Sequence, residues 1–353
     1  MRGRRIAALA LALVLLGGCS WMEGSYVSVS PHQVGPDQTP DTTVHAVRSY
    51  TELRGALIGM IDSGTERALF SLAEYPREEL AEDLRRAVDY AQGTYPVGAY
   101  AVESINCDLG TGLGSSALAV NIVYRRSLTQ IEDIRTVRRI TCVKEEVEDA
   151  LDQFDSTLVL LVTNYQETDF SDLVMDYAQR NPDRVMEVPI VSAQVYPEQG
   201  ENRVVELSFH YRTDREELRA MREQVQPVFS SAALYVSGQA GERVRFSQLH
   251  TFLMERFEYT QGTSLTPAYS LLCQGVGDSR AFAQVYAAMC GRIGLEAEVV
   301  IGKYGGENRW WNRICIDGIW YHLDLMAGQQ FVPMTQEQMV GYEWDRTAEP
   351  TAG

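Results

Sequence analysis

The chain has 353 residues, with 48 acidic and 31 basic side chains, so its formal net charge is −17. Such an acidic chain repels phosphate backbones, which excludes nucleic acid as an expected partner. Its length exceeds that of one typical domain, so two or three domains are expected. The cysteines are few and widely scattered, unlike a disulfide framework, and no metal or other cofactor is predicted.

The first residues have the pattern of a bacterial export signal. Three arginines precede an apolar run, Ile6 to Leu16, that is too short to span a bilayer, which takes about 20 residues. The ending LGGC resembles the lipobox of bacterial lipoproteins, which implies a signal peptide over 1–18 and a diacylglycerol on Cys19. We therefore expect a lipid bilayer as partner, at the extracytoplasmic face of the cell membrane. The alternative is an ordinary secretory signal with a chance cysteine.

Residues 19–43 are predicted to be a disordered tether. They are polar, contain three prolines and show no hydrophobic periodicity. Loss of the signal peptide leaves 28 basic residues against 48 acidic ones, a net charge of about −20. Such a negative charge argues against additional, electrostatic binding of the mature chain to anionic lipid.

The next region contains an internal repetition. The sequence DYAQ at 89–92 recurs at 176–179, and Tyr-Arg at 124–125 recurs at 211–212, both 87 residues later. We predict two tandem αβαββ modules, 44–140 and 141–235, although chance similarity between short αβ units is an alternative. Neither copy shows a nucleophile–base pair, a metal spacing or a phosphate loop, so spacing or recognition is the expected role.

Hydrophobic periodicity gives the expected elements of both modules. In the first they are a helix over 50–61, a strand over 68–74, a helix over 78–92, and strands over 100–108 and 117–124 joined through a glycine-rich loop at 110–114. In the second, which begins near residue 145, the strands lie over 157–163, 187–195 and 204–211. The first of these has VLLV at its centre, which predicts burial on both faces.

The most informative stretch runs from Ala268 to Asp324. It contains CQGVGDSRAFA, a helix ending in RIGL, then RWWN, and finally WYHLD. This closely resembles the core of the bacterial transglutaminase-like family, which runs G-x-V-C-x-x-[FY]-A, a helix ending in L-G-I, H-A-W-N and W-Y-H-V-D. The resemblance implies a papain-like α+β domain over 243–345, entered by a helix over 246–257 and followed by a tail at 346–353.

Two of the family's three chemical positions are changed. The nucleophilic cysteine falls on Ser279, the base histidine on Arg309 and the orienting aspartate on Asp324; we call these three residues the degenerate site. Asp278 is a good N-cap for a helix over 279–292, where a cysteine would be partly thiolate. A serine hydroxyl stays protonated without a base, and arginine cannot be one because its pKa exceeds about 12. The site is therefore predicted to be inactive.

The dipeptide Asp317-Gly318 predicts a two-residue type I′ hairpin turn that pairs Ile316 with Ile319. This register brings Arg309 within reach of Asp324 as an ion pair. It also assigns side chains to two faces of the hairpin. One face, with Trp310, Ile314, Ile316, Ile319, Tyr321, Leu323 and Leu325, is predicted core. The other, which we call the outer face, carries Arg309, Trp311, Arg313, Cys315, Trp320, His322 and Asp324.

Three functions remain open at this point. The first is a surface-anchored, inactive transglutaminase-like domain that binds or scaffolds, with Arg313, Trp311, Trp320 and His322 as possible cleft residues for envelope peptides or proteins. The second is an active hydrolase or acyl transferase that uses Ser279. The third is a purely structural lipoprotein whose two modules do the work.

Overall fold

The computed structural model describes residues 45–110 and 116–346. The predicted signal peptide, Cys19, the tether, the tail from residue 347 and all but Gly110 of the predicted glycine-rich loop lie outside these ranges. Within them, no helix has both the length and the apolar character that crossing a bilayer requires. The fold is α+β, as predicted.

The first unit is a four-stranded sheet packed against helices. Its elements are β1 (His45–Ala46), α1 (Tyr50–Asp62), β2 (Arg67–Ser71), α2 (Leu80–Asp89), a π-helical turn (Tyr90–Thr94), α3 (Pro96–Ala101), β3 (Val102–Leu109) and β4 (Ala117–Tyr124). The strand order is β1-β2-β4-β3, with β1 parallel to β2 and the other pairs antiparallel. Leu53, Leu57 and Ile61 of α1 are fully buried in the core of this unit.

The segment 90–101 differs from the sequence expectation. The predicted helix 78–92 ends as an α-helix at Asp89, and the predicted strand 100–108 starts only at Val102. The cause is α3, which begins at Pro96, a residue whose fixed φ suits the first helical position. Gly98 permits this packing, because a Cβ atom there would collide with the carbonyl oxygen of Ala91.

The second unit repeats the architecture of the first. Its elements are α4 (Leu128–Glu132), β5 (Arg135–Val137), α5 (Ile140–Gln153), β6 (Thr157–Val162), α6 (Phe170–Arg180), β7 (Ile190–Tyr196) and β8 (Arg203–His210). The strand order β5-β6-β8-β7 has the same pattern of one parallel and two antiparallel pairs. Duplication of the sequence stays a hypothesis that this common topology favours.

Strand β6 is covered on both faces, as its apolar run predicts. Leu158 and Leu160 are buried in the core of the second unit, whereas Val159 and Leu161 pack against the core of the first. A charged contact reinforces this junction: Arg126 lies 2.5 Å from Glu206 and its guanidinium covers the ring of Tyr100. The sheet of the second unit therefore serves as the packing surface for the first unit.

The third unit holds the degenerate site. Its elements are α7 (Arg215–Tyr235), α8 (Glu242–Met254), β9 (Glu258–Tyr259), α9 (Pro267–Gln274), β10 (Val276–Gly277), α10 (Ser279–Arg292), β11 (Ala297–Tyr304), β12 (Glu307–Ile316), β13 (Ile319–Leu323) and β14 (Tyr342–Trp344). The antiparallel sheet has the order β13-β12-β11-β14, and β9 and β10 form a short parallel pair. Helix α10 has the predicted bounds, and α8 begins four residues before the predicted start at 246.

A buried carboxylate fixes the passage from the second unit into α7. Glu187 is 3% exposed, and its two oxygens accept the backbone N–H groups of Arg212 and Thr213 at 2.6 and 3.1 Å. A carboxylate provides acceptors on both oxygens, so it satisfies two backbone donors that would otherwise lie unpaired. The direction in which α7 leaves β8 thus depends on one side chain.

We expect Glu187→Gln to lower the free energy of unfolding by about 2 kcal/mol, because an amide replaces one acceptor with a donor. Urea unfolding followed by tryptophan fluorescence measures the change. Glu198→Gln is the matched control, since Glu198 is exposed and its loss should change stability by less than about 0.5 kcal/mol. Equal effects of the two substitutions would contradict this role of Glu187.

Candidate functional site

The start of α10 rests on β12. Asp278 caps the helix, its Oδ1 accepting the Ala281 N–H at 2.9 Å, and Ser279 is the first helical residue. The backbone N–H of Trp310 donates to Ser279 Oγ at 3.3 Å. Ser279 is only 8% exposed. Its hydroxyl oxygen is thus held against β12 by the backbone of Trp310, and no side-chain base bonds to it among the described residues.

Arg309 and Asp324 form the predicted ion pair. Arg309 Nε donates to Asp324 Oδ2 at 2.9 Å, and the exposed fractions of the two side chains are 16% and 0%. The Tyr342 hydroxyl donates to the same oxygen at 2.8 Å, and the Met326 N–H donates to Oδ1 at 2.8 Å. The carboxylate is therefore shared by β12, β14 and the 3-10 turn Leu325–Ala327.

The hydroxyl of Tyr342 titrates above its usual range. Burial is the main cause, followed by its hydrogen bond to Asp324 and the negative charge of that carboxylate, and together they raise the pKa of Tyr342. The neighbouring guanidinium of Arg309 acts in the opposite direction. The Tyr342 hydroxyl thus keeps its proton near neutral pH and can donate its hydrogen bond to Asp324.

The hairpin has the predicted register. Strand β12 pairs with β13 from Ile316↔Ile319 back to Asn312↔Leu323, and both turn residues, Asp317 and Gly318, have positive φ as a type I′ turn requires. Regular pairing ends at Leu323 because Asp324 caps the 3-10 turn. Ile314, Ile316, Leu323 and Leu325 are buried in the same cluster as α10, as expected for the core face. Ile319, which was also predicted to be core, is exposed beside the turn.

The outer face of the hairpin is covered, which corrects the expectation of an open cleft there. Trp311 is fully buried, 5.2 Å from the ring of Tyr342 and 5.7 Å from that of Trp344. Its Nε1 donates to Nδ1 of His322 at 3.0 Å. Gly302 makes room for this packing, since a Cβ atom there would overlap the indole of Trp311. Strand β14, at the far edge of the sheet, supplies the covering aromatic residues.

The other predicted cleft residues are also occupied by internal contacts. His322 is buried and its backbone bonds to Met334 in both directions at 2.8 Å. Arg313 is buried, 4.0 Å from Glu298, with its guanidinium over the ring of Trp320. Only Trp320 keeps a partly exposed surface. The sequence predicted a ligand cleft lined by Trp311, Arg313 and His322. This prediction is wrong, because the three side chains are buried and make contacts within the protein.

Two residues of the site were missed by sequence reasoning. Tyr342 contacts Asp324 across the sheet, and no spacing in the sequence indicates this contact. Arg280 follows Ser279 in α10, and its Cζ lies 5.4 Å from the ring centroid of Trp310. The sequence did contain a signal for Arg280, because this second cation directly follows Ser279, one of the changed positions.

Among the described residues, the cysteines and the metal-binding residue types do not form a second reactive centre. Cys107, Cys142, Cys273, Cys290 and Cys315 are free thiols. Burial raises the pKa of the Cys273 thiol, the exposed member of this set, which disfavours its reactive thiolate form. Within residues 45–110 and 116–346, no group of His, Cys, Asp or Glu side chains is placed to hold a metal ion.

Comparison with known proteins agrees with this fold. Residues 231–325 match the Transglutaminase-like superfamily model, and this part of the chain is a transglutaminase-like domain. The match begins within α7 and ends at Leu325, so it contains all three positions of the degenerate site. No curated protein sequence matches the chain at a significant level.

Three solved structures show weak similarity. A crystal structure of a TGase has 11% identity and a TM-score of 0.27, over 61% of this chain and 62% of the other. A proposed cysteine protease from Cytophaga hutchinsonii has 12% identity and a TM-score of 0.26, over 44% and 70%. A proposed protease from Parabacteroides distasonis has 10% identity and a TM-score of 0.24, over 60% and 47%.

We expect Asp324→Asn to lower the free energy of unfolding by about 3 kcal/mol, because it leaves the largely buried Arg309 without its counter-charge. Chemical denaturation measures this. The matched control is Asp176→Asn, which breaks a similar pair with Arg180 whose members are both more than half exposed. Exposed pairs contribute little, so the control should lose less than about 1 kcal/mol. A control loss as large as that of Asp324→Asn would contradict the assignment.

We also expect the stabilising effect of Tyr342 to disappear at high pH. Its pKa is raised in the folded chain, so its contribution is complete below the ordinary tyrosine pKa of about 10 and is lost as the pH rises above that value. Tyr342→Phe should therefore cost about 1 kcal/mol at neutral pH and progressively less in alkali. Denaturation of both proteins across this range tests the sign. A difference that grows with pH would contradict it.

Proposed function

We propose that the transglutaminase-like domain is a non-catalytic binding or scaffolding domain in a membrane-anchored lipoprotein of the cell envelope. The observation that carries the proposal is the ion pair between Arg309 and Asp324. It occupies the place where the family resemblance puts a base and its orienting carboxylate. Because arginine stays protonated, this pair contributes structure and charge but no proton acceptor.

The state of Ser279 supports the same proposal. Its Oγ accepts the backbone N–H of Trp310, and no side-chain base bonds to it among the described residues. A serine nucleophile also needs a partner that removes its proton, and the neighbouring positions on β12 carry arginine and tryptophan. We therefore favour binding over the alternative of a serine hydrolase or acyl transferase.

The anchoring part of the proposal rests on the LGGC sequence at Cys19 and the polar segment that follows it. An anchored domain of this kind meets peptides and proteins of the envelope, and these are the ligands we propose. A purely structural lipoprotein is the competing proposal.

Comparison of the wild-type chain with Ser279→Ala and with the double variant Ser279→Cys/Arg309→His tests the loss of chemistry. We expect wild type and Ser279→Ala to show equal, background rates of peptide amide hydrolysis and amine incorporation. The double variant should exceed that background by at least about tenfold, because a thiolate at a helix start beside an imidazole is an effective nucleophile.

The single variant Ser279→Cys is the matched control, because it has the thiol without the base and should show no turnover. The proposal would fail if wild-type activity were measurable and Ser279→Ala removed it. A serine-directed probe that labels wild type and not Ser279→Ala would have the same meaning. Restored turnover in the double variant would show in addition that the domain still presents a substrate to position 279.

A further inference from the structure

Strand β7 gives the sheet of the second unit a long open edge. It is the last strand in the order β5-β6-β8-β7, and among the described residues it pairs with β8 alone. Ser192, Ala193 and Gln194 are exposed in succession, although successive side chains of a strand point to opposite faces. The edge is therefore accessible from both faces. Such an edge presents unpaired N–H and C=O groups that can pair with another chain.

The other outer strands of the three sheets are short or obstructed. Strands β1, β5 and β14 have only two or three residues. Strand β3 contains a bulge and acidic side chains, and the Gln92 side chain donates to the carbonyl oxygen of Glu103 at 2.7 Å. Strand β13 forms a bridge between His322 and Met334. Strand β7 has seven regularly paired residues without a charge, so it lacks the features that usually prevent an edge from accepting a further strand.

A groove lies beside the open edge, between β7 and the start of α6. Its volume is about 310 Å³, at the small end of the range of about 300–1,000 Å³ that is usual for ligand sites. Val191 and Ala193, two residues apart on the same face of β7, line it together with the buried ring of Phe170. Glu167 and Asp169 also line it, and both are exposed. The groove thus combines an apolar surface with two carboxylates.

These two carboxylates have no cationic partner. Among the described residues neither Glu167 nor Asp169 forms an ion pair, and no basic side chain lines the groove. Asp169 uses Oδ1 to accept the N–H groups of Ser171 and Asp172 at 2.9 and 3.1 Å. A side chain with an aliphatic stem and a cationic head, as in lysine and arginine, complements such a groove. In a chain with a net charge of −17, the same carboxylates disfavour an acidic segment.

We propose that the edge of β7 binds an extended, basic segment of a partner protein, which adds a strand to the sheet and places one lysine or arginine side chain in the groove. In this mode of recognition, backbone hydrogen bonds provide affinity and the groove provides specificity. A second copy of this chain is disfavoured as the occupant, because pairing of two β7 edges would bring two acidic grooves together. The site lies in the second unit, so the inference goes beyond the function proposed for the transglutaminase-like domain.

The test measures binding of the full-length chain to a labelled, capped heptapeptide that alternates valine with threonine and has a lysine at its centre. Fluorescence anisotropy gives the affinity. We expect saturable binding that weakens at least about tenfold when glutamate replaces the lysine, because attraction to the groove becomes repulsion. Methylation of the backbone nitrogens of the lysine peptide should abolish binding, because an added strand needs its N–H donors.

The double variant Glu167→Gln/Asp169→Asn removes both charges of the groove, whereas asparagine preserves the helix cap. It should keep the melting temperature of wild type and bind the lysine peptide at least about tenfold more weakly. Glu78→Gln/Glu79→Gln is the matched control, because it removes two exposed charges directly before helix α2 of the first unit. This control should bind the peptide like wild type.

Equal binding of the lysine and glutamate peptides would overturn the proposal, as would undiminished binding of the methylated peptide or the absence of binding. A dimer in sedimentation equilibrium that Ala193→Arg dissociates would also overturn it, because the edge would then belong to a second copy of the chain. None of these measurements involves the degenerate site. Failure of the β7 site is therefore distinguishable from failure of the non-catalytic proposal.

Discussion

The carboxylate of Asp324 is the point on which the arrangement of the third unit depends. It accepts hydrogen bonds from Arg309 on β12, from Tyr342 on β14 and from the backbone of the turn that follows it. Its side chain has no exposed surface. A buried charge is tolerated only when its lone pairs are satisfied, and here three donors from separate parts of the chain satisfy it. Removing one partner therefore affects two strands and a turn together.

This constraint gives a physical reason why the framework would be kept under the non-catalytic function proposed above. The position that the family resemblance assigns to a base must still supply a donor to the buried aspartate, whether or not proton transfer occurs. Arginine supplies that donor and a positive charge, and it does so without a titratable proton at any neutral pH. The aromatic cluster of Trp311, Tyr342 and Trp344 then closes the outer face.

The start of α10 lies against β12 at Trp310. Ser279 is held by the Trp310 backbone, and the ring of the same tryptophan lies against Arg280. Two arginines thus flank the position where a nucleophile would stand, one neutralised by Asp324 and one not.

Local features of the sequence determined much of the third unit. The N-cap Asp278 and the glycines before it fixed the start of α10, and the Asp317-Gly318 turn fixed the register of β12 and β13, because both signals act over a few residues. The register in turn was enough to predict the pair between Arg309 and Asp324. In the first unit, helix α1 and strand β4 also followed from periodicity alone, whereas the short helix α3 did not, because it depends on the close approach of Gly98 to Ala91.

Only the tertiary structure decided that the outer face is buried rather than open. Strand β14 returns to the edge of the sheet from 18 residues beyond Asp324, and its contact with Trp311 depends on packing between distant segments. Alternation along a strand assigns a side chain to a face, but what covers that face is a property of the whole fold.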